Sequence, residues 1–271
     1  MRLNNVLKIL PVIGIAIIFL FAGESCNNQN KNKFAEVEIK KDIEEYVYPL
    51  ISAFDVTNML SEIEASYIVD ITNDAENVEK YFTEQSKAVN LGIYTADLAY
   101  ATTYNQKADV QSFFKTIEIL VNELDLTAAL SKKVADDIEK NLDNTEVLVD
   151  LITHLSQDAY SYLNKQGRAE LSYLVLAGTA LEGLYLTTHI SENTFQNPKI
   201  IETILYQKNP LLKLEKLMEP YRGTELSGIV YQTVKSINEI YALEESTSAI
   251  TVEQVEQLTR LINKAREQSI Q

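Results

Sequence analysis

The sequence predicts an all-α protein, and three observations support that prediction. Its 271 residues include only 8 Gly and 5 Pro, which argues against a loop-rich β protein. Apolar residues recur at helical spacing along most of the chain. Helix-capping residues stand in front of several of these apolar runs. We therefore expect about ten helices in a single multi-helical, bundle-like domain, without a convincing strand.

The bulk composition is that of a folded protein with a sizeable core. Hydrophobic residues make up 46% of the chain and charged residues 23%, which is an ordinary globular balance. The formal net charge is −15. So strong a negative charge argues against nucleic acid and anionic lipid as direct partners, because both are polyanions.

The N-terminus has the pattern of an export signal. Residues 1–8 are mildly basic, residues 9–22 form a nearly continuous apolar run, and Gly23-Glu24-Ser25-Cys26 follows. This pattern resembles the lipobox of bacterial lipoproteins, in the permissive form found in Bacteroidetes-like bacteria. The family prefers Leu and a small residue where this chain has Gly23 and Glu24. The resemblance covers only the first 26 residues and implies that Cys26, the single cysteine, is acylated.

The same resemblance implies a domain order and a location. Residues 1–25 would be a signal peptide, residues 26–36 a polar tether, and residues 37–271 the helical domain. The membrane would be a partner through acylated Cys26. The protein would lie in the cell envelope, at the outer membrane and facing the periplasm. An uncleaved anchor helix and an ordinary secretory signal remain the alternatives.

The first half of the mature chain is predicted to contain six helices. Their expected ranges are 35–48, 55–67, 73–82, 83–104, 110–124 and 125–141. Asp55 and Thr83 are expected to cap the second and fourth of these, and Asn73 to Glu76 has the spacing of a capping box. Residues 68–71 are interpreted as a connection and not as a strand.

The second half is predicted to follow the same style. Asn144 starts a helix that Gly167 stops, and a second helix spans residues 168–190. Two shorter helices are expected to start at the Asn-Pro pairs 197–198 and 209–210, because Pro is favoured in a first helical turn. Helices at 224–243 and 251–268 complete the prediction.

Two of these helices are unusually poor in charge. Between Lys87 and Lys107 the only charged side chain is Asp97, and between Glu170 and Glu192 the only one is Glu182. Such helices are expected to be buried on most sides, so we predict that they form a central pair.

The central helices also share the pattern acid-x-x-Tyr-x-Thr-Thr at an offset of 85 residues. An internal duplication would divide the domain into halves 55–142 and 144–222, followed by C-terminal helices at 224–268. Chance similarity within a compositionally biased helical chain remains the alternative.

Small residues form a stripe on each central helix. The first stripe is Gly92, Ala96, Ala99 and Thr103, and the second is Ala180, Gly183 and Thr187. Their spacing places each set on one helix face, which favours close helix packing. A groove for a small ligand is the alternative interpretation.

The two acids define the candidate ligand-binding site. A buried carboxylate must be hydrogen-bonded or must change its protonation state. Tyr100 and Tyr104 follow Asp97 by one and two turns, and Tyr185 follows Glu182 by one turn. If the two helices are antiparallel neighbours, these groups could converge on a pocket for a cation, a sugar or an amine. Alternatively, each acid is satisfied by its own tyrosine.

Signals for catalysis are weak. The two histidines are His154, one turn after Asp150, and His189, and no Glu-x-x-His pair is present. Neither Gly-x-Ser-x-Gly nor a glycine-rich phosphate loop occurs. We expect no catalytic residue, no metal and no cofactor. The leading hypothesis is a non-catalytic, lipid-anchored interaction or scaffold protein of the envelope. The alternative is a periplasmic lipoprotein that binds a small ligand near Asp97 and Glu182.

Overall fold

The computed structural model describes residues 53–127, 132–191, 196–247 and 250–270. These residues contain ten α-helices, three short 3-10 helices and no strand, which confirms the all-α prediction. The α-helices are α1 (Ala53–Glu62), α2 (Glu84–Thr103), α3 (Lys107–Glu123), α4 (Lys132–Lys140), α5 (Thr145–Lys165), α6 (Ala169–His189), α7 (Pro198–Tyr206), α8 (Lys208–Met218), α9 (Glu225–Thr247) and α10 (Val252–Ile270). The predicted signal peptide, the tether with Cys26 and the 35–48 helix lie outside the described residues.

Several predicted helix starts are confirmed by their capping hydrogen bonds. Thr83 and Ser86 bond reciprocally at the start of α2, as in a capping box. The side chain of Asn144 accepts the backbone N–H of Val147 at the start of α5. These bonds satisfy N–H groups that the first turn of a helix leaves without a partner.

Two predicted helix limits are wrong because residues take left-handed backbone angles. The helix predicted at 55–67, which is α1, ends at Glu62 and not at Tyr67, and Glu64 just after it has φ 58°. Asp125 was expected to start a helix, but its φ is 56°, and residues 125–127 are not helical. Left-handed angles end a right-handed helix, and the hydrophobic pattern does not report them.

Three predicted caps are also wrong. Asp55 lies inside α1, which already includes Ala53. Asp74, not Asn73, caps the segment that follows, and this segment (Ala75–Lys80) is a 3-10 helix. Asn73 and Asp74 can both cap a helix, so the pattern alone does not select one. Asn209 lies inside the first turn of α8, because that helix starts directly after Gln207, the residue that ends α7.

The charge-poor helices α2 and α6 form the centre of the fold, as predicted, and make the most extensive contact between any two helices of the described chain. They run parallel, which corrects the antiparallel arrangement considered for the ligand pocket. At their starts, the Arg168 guanidinium lies 2.6 Å from the Glu84 carboxylate. Further along, Gly92 lies against Val175 and Thr179. The predicted halves are therefore not separate bodies, and the described residues belong to one compact unit.

The two helices cross at a glycine on each side. A methyl group on Gly92 would come within 2.0 Å of the Val175 carbonyl oxygen, and one on Gly178 within 2.0 Å of the Val89 oxygen. Each glycine thus lets the partner's backbone approach closely. The contact is reciprocal, and each side has the sequence Val-x-x-Gly, separated by 86 residues. The common origin of the two halves stays a prediction.

The small-residue stripes are only partly involved in this crossing. Gly92 lies at it, but Gly178 was not included in the second stripe. Gly183 was included, and a methyl group there would lie 3.3 Å from Gln207 Oε1 and 4.0 Å from Val56 Cγ1. That glycine therefore points towards α1 and the start of α8, and not towards α2.

The remaining helices cover this pair. Helix α6 contacts α1, α5, α7, α8, α9 and α10 as well as α2. The C-terminal helix α10 reaches both central helices and packs its apolar face against the core. Across the described ranges, no helix combines the length and the hydropathy that a membrane crossing requires.

Candidate functional site

The two predicted acids meet in the core. Asp97 and Glu182 are both 0% exposed, and they are close enough for the Glu182 charge to raise the pKa of Asp97. The parallel packing of α2 and α6 brings them together, because both acids lie beyond the glycine crossing, towards the C-terminal ends of the two helices. The structure thus places the two acids in one polar cluster.

Glu182 is neutralised by a residue that the sequence interpretation did not select. The Nε atom of Arg266 donates to Glu182 Oε1 at 3.0 Å and to Oε2 at 2.7 Å. Its Nη2 atom donates to Oε1 at 2.9 Å. Nη2 also donates to the Ile71 carbonyl oxygen at 3.1 Å. Charge-assisted bonds of this bidentate kind are among the strongest hydrogen bonds in proteins.

An aromatic stack lies beside this ion pair. The guanidinium carbon of Arg266 is 4.0 Å from the ring centroid of Tyr185, a cation–π distance. Tyr185 in turn stacks on His189, with ring centroids 4.0 Å apart. Burial lowers the pKa of His189 below its ordinary value, so the imidazole is neutral at pH 7. Tyr185 therefore contributes its ring face to Arg266.

Asp97 has a different environment from Glu182. Its Oδ2 atom accepts the backbone N–H of Asn73 at 3.1 Å, while Oδ1 has no donor among the described residues. Burial raises the pKa of Asp97 well above its ordinary value, and the Glu182 charge raises it further, although Arg266 opposes both effects. The Asp97 carboxyl group thus has a raised pKa although it lies near the Arg266–Glu182 ion pair.

The cluster also holds an irregular stretch, residues 68–74, against the central helices. Four side chains reach its backbone. They are Tyr100 on the Ile68 N–H (2.9 Å), Arg266 on the Ile71 carbonyl (3.1 Å), Asp97 on the Asn73 N–H (3.1 Å) and Tyr94 on the Asp74 carbonyl (2.6 Å). Because this stretch has few backbone bonds of its own, the core side chains determine its position.

The tyrosines of the candidate site do not satisfy the acids, so that alternative is wrong. The Tyr100 hydroxyl accepts from the Ile68 backbone, and the Tyr104 hydroxyl has no hydrogen-bond partner in the described part of the chain. Both rings pack with Tyr67, with ring centroids 4.6 and 5.7 Å away. Burial raises the pKa of Tyr104 to about 12, so its hydroxyl stays protonated. Of the predicted tyrosines, only Tyr185 joins the ionic cluster.

A sequence signal for Arg266 exists. Val255, Leu258 and Ile262 form the buried face of α10, and Arg266 follows Ile262 by four residues on that face. A charged residue on an apolar stripe predicts a buried partner of opposite charge. Asn73 has no comparable signal, because it contributes its backbone.

Three cavities of the described chain lie away from the acids. Two interior cavities between α2, α5 and α6 have volumes of about 20 and 30 Å³, room for about one water molecule each. A larger open groove of about 570 Å³ runs between α9 and α10, next to residues 222–224. Asp97 and Glu182 line none of these three spaces.

Metal chemistry finds no structural support in the ranges described. No group of three or more His, Cys, Asp and Glu side chains there is arranged to hold a metal ion. The Nδ1 atom of His154 lies 2.7 Å from the Asp150 backbone carbonyl. This contact is a hydrogen bond along one face of α5.

Comparison with known proteins adds no relative. No protein-family model matches the chain, no curated protein matches it, and no solved structure matches it. The functional argument therefore depends on the residues themselves.

Proposed function

We propose that this protein is a non-catalytic, lipid-anchored protein of the bacterial envelope that acts as an interaction or scaffold module. The main support is the state of the polar cluster. Asp97 and Glu182 are inaccessible to solvent, Arg266 donates to Glu182, and the Asn73 backbone N–H donates to Asp97. A catalytic acid or base needs access to a substrate, which this arrangement does not offer.

The groove between α9 and α10 is the surface that best fits a partner. Ile229 on its wall is 45% exposed, and Leu261 and Ala265 contribute further apolar surface. Lys264 places a positive charge in the groove of an otherwise acidic protein, while Arg222, also on its wall, pairs with Glu219 at 3.5 Å, and Glu225 adds one negative charge. This lining favours a partner segment with an apolar side chain and acidic groups.

The anchor is tested with Cys26→Ala. We expect this change to release the protein from the membrane fraction or to block its processing, because the thiol is the site of acylation. Fractionation and the apparent mass measure both effects. Retention in the membrane at an unchanged mass would contradict the anchor.

The partner is tested by affinity purification from detergent-solubilised envelope. We expect a stoichiometric protein with the natural chain and its loss with Ile229→Glu. Val252→Glu is the matched control, because Val252 is 47% exposed but lies outside the groove. Failure of the natural chain to recover any stoichiometric protein would count against the interaction module. Equal recovery with both variants would count against the groove.

A second candidate function is the binding of a small cationic ligand. One observation favours it: Asp97, Glu182 and Tyr185 do converge, and they surround a cation. In the structure that cation is the protein's own Arg266. A ligand would therefore have to take the place of a side chain from α10.

A further inference from the structure

Arg266 is held in the way that a protein holds a bound ligand. Every described contact of its guanidinium comes from outside α10: Glu182 and Tyr185 from α6, and the Ile71 carbonyl from the 68–74 stretch. A carboxylate, a carbonyl oxygen and an aromatic face are the three kinds of group that recognise a guanidinium. All three are supplied here by residues that precede α10 in the chain.

We propose that Glu182, Tyr185 and the Ile71 carbonyl form a guanidinium-binding site, which α10 fills with Arg266 and which binds a small guanidinium compound when that side chain is absent. The proposal rests on the ligand-binding candidate above and not on the groove. It gives α10 the role of an internal ligand for the central helix pair. The chemical class of an external ligand follows from the group that α10 inserts.

The geometry selects a guanidinium over an ammonium group. Glu182 accepts from Nε and Nη2 along one edge of the planar cation, and Nη2 also donates to the Ile71 carbonyl. A planar fork can make these bonds at the same time while its face rests on Tyr185. An ammonium group is a compact point charge and does not reproduce both contacts.

Charge and position also favour the exchange. Removal of the Arg266 side chain leaves the Glu182 carboxylate buried without its cation, which is costly unless another cation replaces it. The Arg266 side chain is 10% exposed, and Tyr185 and His189 are partly exposed, so the site borders the solvent. A small cation therefore has a route to Glu182.

The test is chemical rescue of Arg266→Ala in the full-length chain. Alanine retains the first side-chain carbon, so ethylguanidinium supplies the missing atoms. We expect about 10 mM ethylguanidinium to raise the Tm of this variant saturably, by about 2–4 °C for each kcal/mol of binding free energy. Ethylammonium at the same concentration should raise it less. The natural chain should not respond, because Arg266 already occupies its site.

Two variants make the result specific. Glu182→Gln combined with Arg266→Ala should lose the response, because the anion that binds the ligand is gone. Arg260→Ala should not create one, because Arg260 is an exposed residue of α10 paired with Glu256. An equal Tm shift with and without Glu182, or an equal shift with ethylammonium, would overturn the proposal.

If Arg266→Ala does not fold unaided, the yield of folded protein after dilution from denaturant becomes the readout. We then expect ethylguanidinium to increase the yield for the single variant only. No increase, or the same increase for the double variant, would overturn the proposal. Because these measurements need neither acylation nor a partner protein, their failure leaves the interaction module unaffected.

Discussion

The central helix pair has two regions that look similar in sequence but are held together differently. At Gly92 and Gly178 the helices touch backbone to backbone, with no side chain between them. Further along, at Asp97 and Glu182, they are joined by a buried polar cluster of two carboxyl groups and Arg266. Both regions lie in the same charge-poor stretches, and both are buried.

The difference shows two ways of fixing a helix crossing. The glycine region depends on the absence of a side chain, because a Cβ atom would occupy space already taken by a carbonyl oxygen. The acid region depends on partners from other elements, because α10 supplies the cation and residues 68–74 supply backbone groups. Substitutions should therefore fail for steric reasons in the first region and for electrostatic reasons in the second.

The largest effect is expected from Glu182→Gln. This change leaves the Arg266 charge buried without an anion, so the free energy of unfolding should fall by about 3–5 kcal/mol. Denaturant unfolding measures it. Glu219→Gln is the control, because its pair with Arg222 is exposed, and it should cost less than about 1 kcal/mol. Similar losses for the two variants would show that the cluster does not depend on this ion pair.

A loss of about 3 kcal/mol is expected from Gly92→Ala or Gly178→Ala. The new methyl group would stand 2.0 Å from a backbone oxygen, so the helices would have to separate. Gly183→Ala is the matched control, since its nearest neighbour is a side-chain atom at 3.3 Å. We expect a change within about 1 kcal/mol there, because alanine also favours the helix. Equal destabilisation at Gly92 and Gly183 would exclude the close crossing.

The smallest effect near pH 4 is expected from Asp97→Asn, and this effect should grow as the pH rises. Burial raises the pKa of Asp97 in the folded protein, so between the unfolded value and the raised value the folded state binds more protons. The natural chain therefore loses stability as pH rises through that window. Asparagine imitates the protonated carboxyl group and has no such loss.

The variant should accordingly match the natural chain near pH 4 and become the more stable of the two towards pH 8. Each unit by which the pKa is raised contributes about 1.4 kcal/mol to the final difference. Urea unfolding at several pH values measures that difference. A difference that is constant with pH would show that Asp97 is not protonated in the folded protein.

Part of the site could be predicted from the sequence, and the reason is burial. Asp97 and Glu182 were recognisable because each is the only charge in a long apolar helix. The alternative that each acid is satisfied by its own tyrosine was wrong, because spacing along one helix says nothing about groups that arrive from elsewhere. Residues 68–74 come to Tyr100 and Asp97 from outside α2.

The sequence by itself determined the all-α class, most helix starts and the identity of the central pair. Those features depend on periodicity and capping, which are local properties. The tertiary structure alone decided that the pair is parallel, that Gly178 lies at the crossing and that Arg266 neutralises Glu182. Such contacts join residues that are 83 or more positions apart, as Gly92 and Val175 are. No local pattern specifies which distant group will fill a buried position.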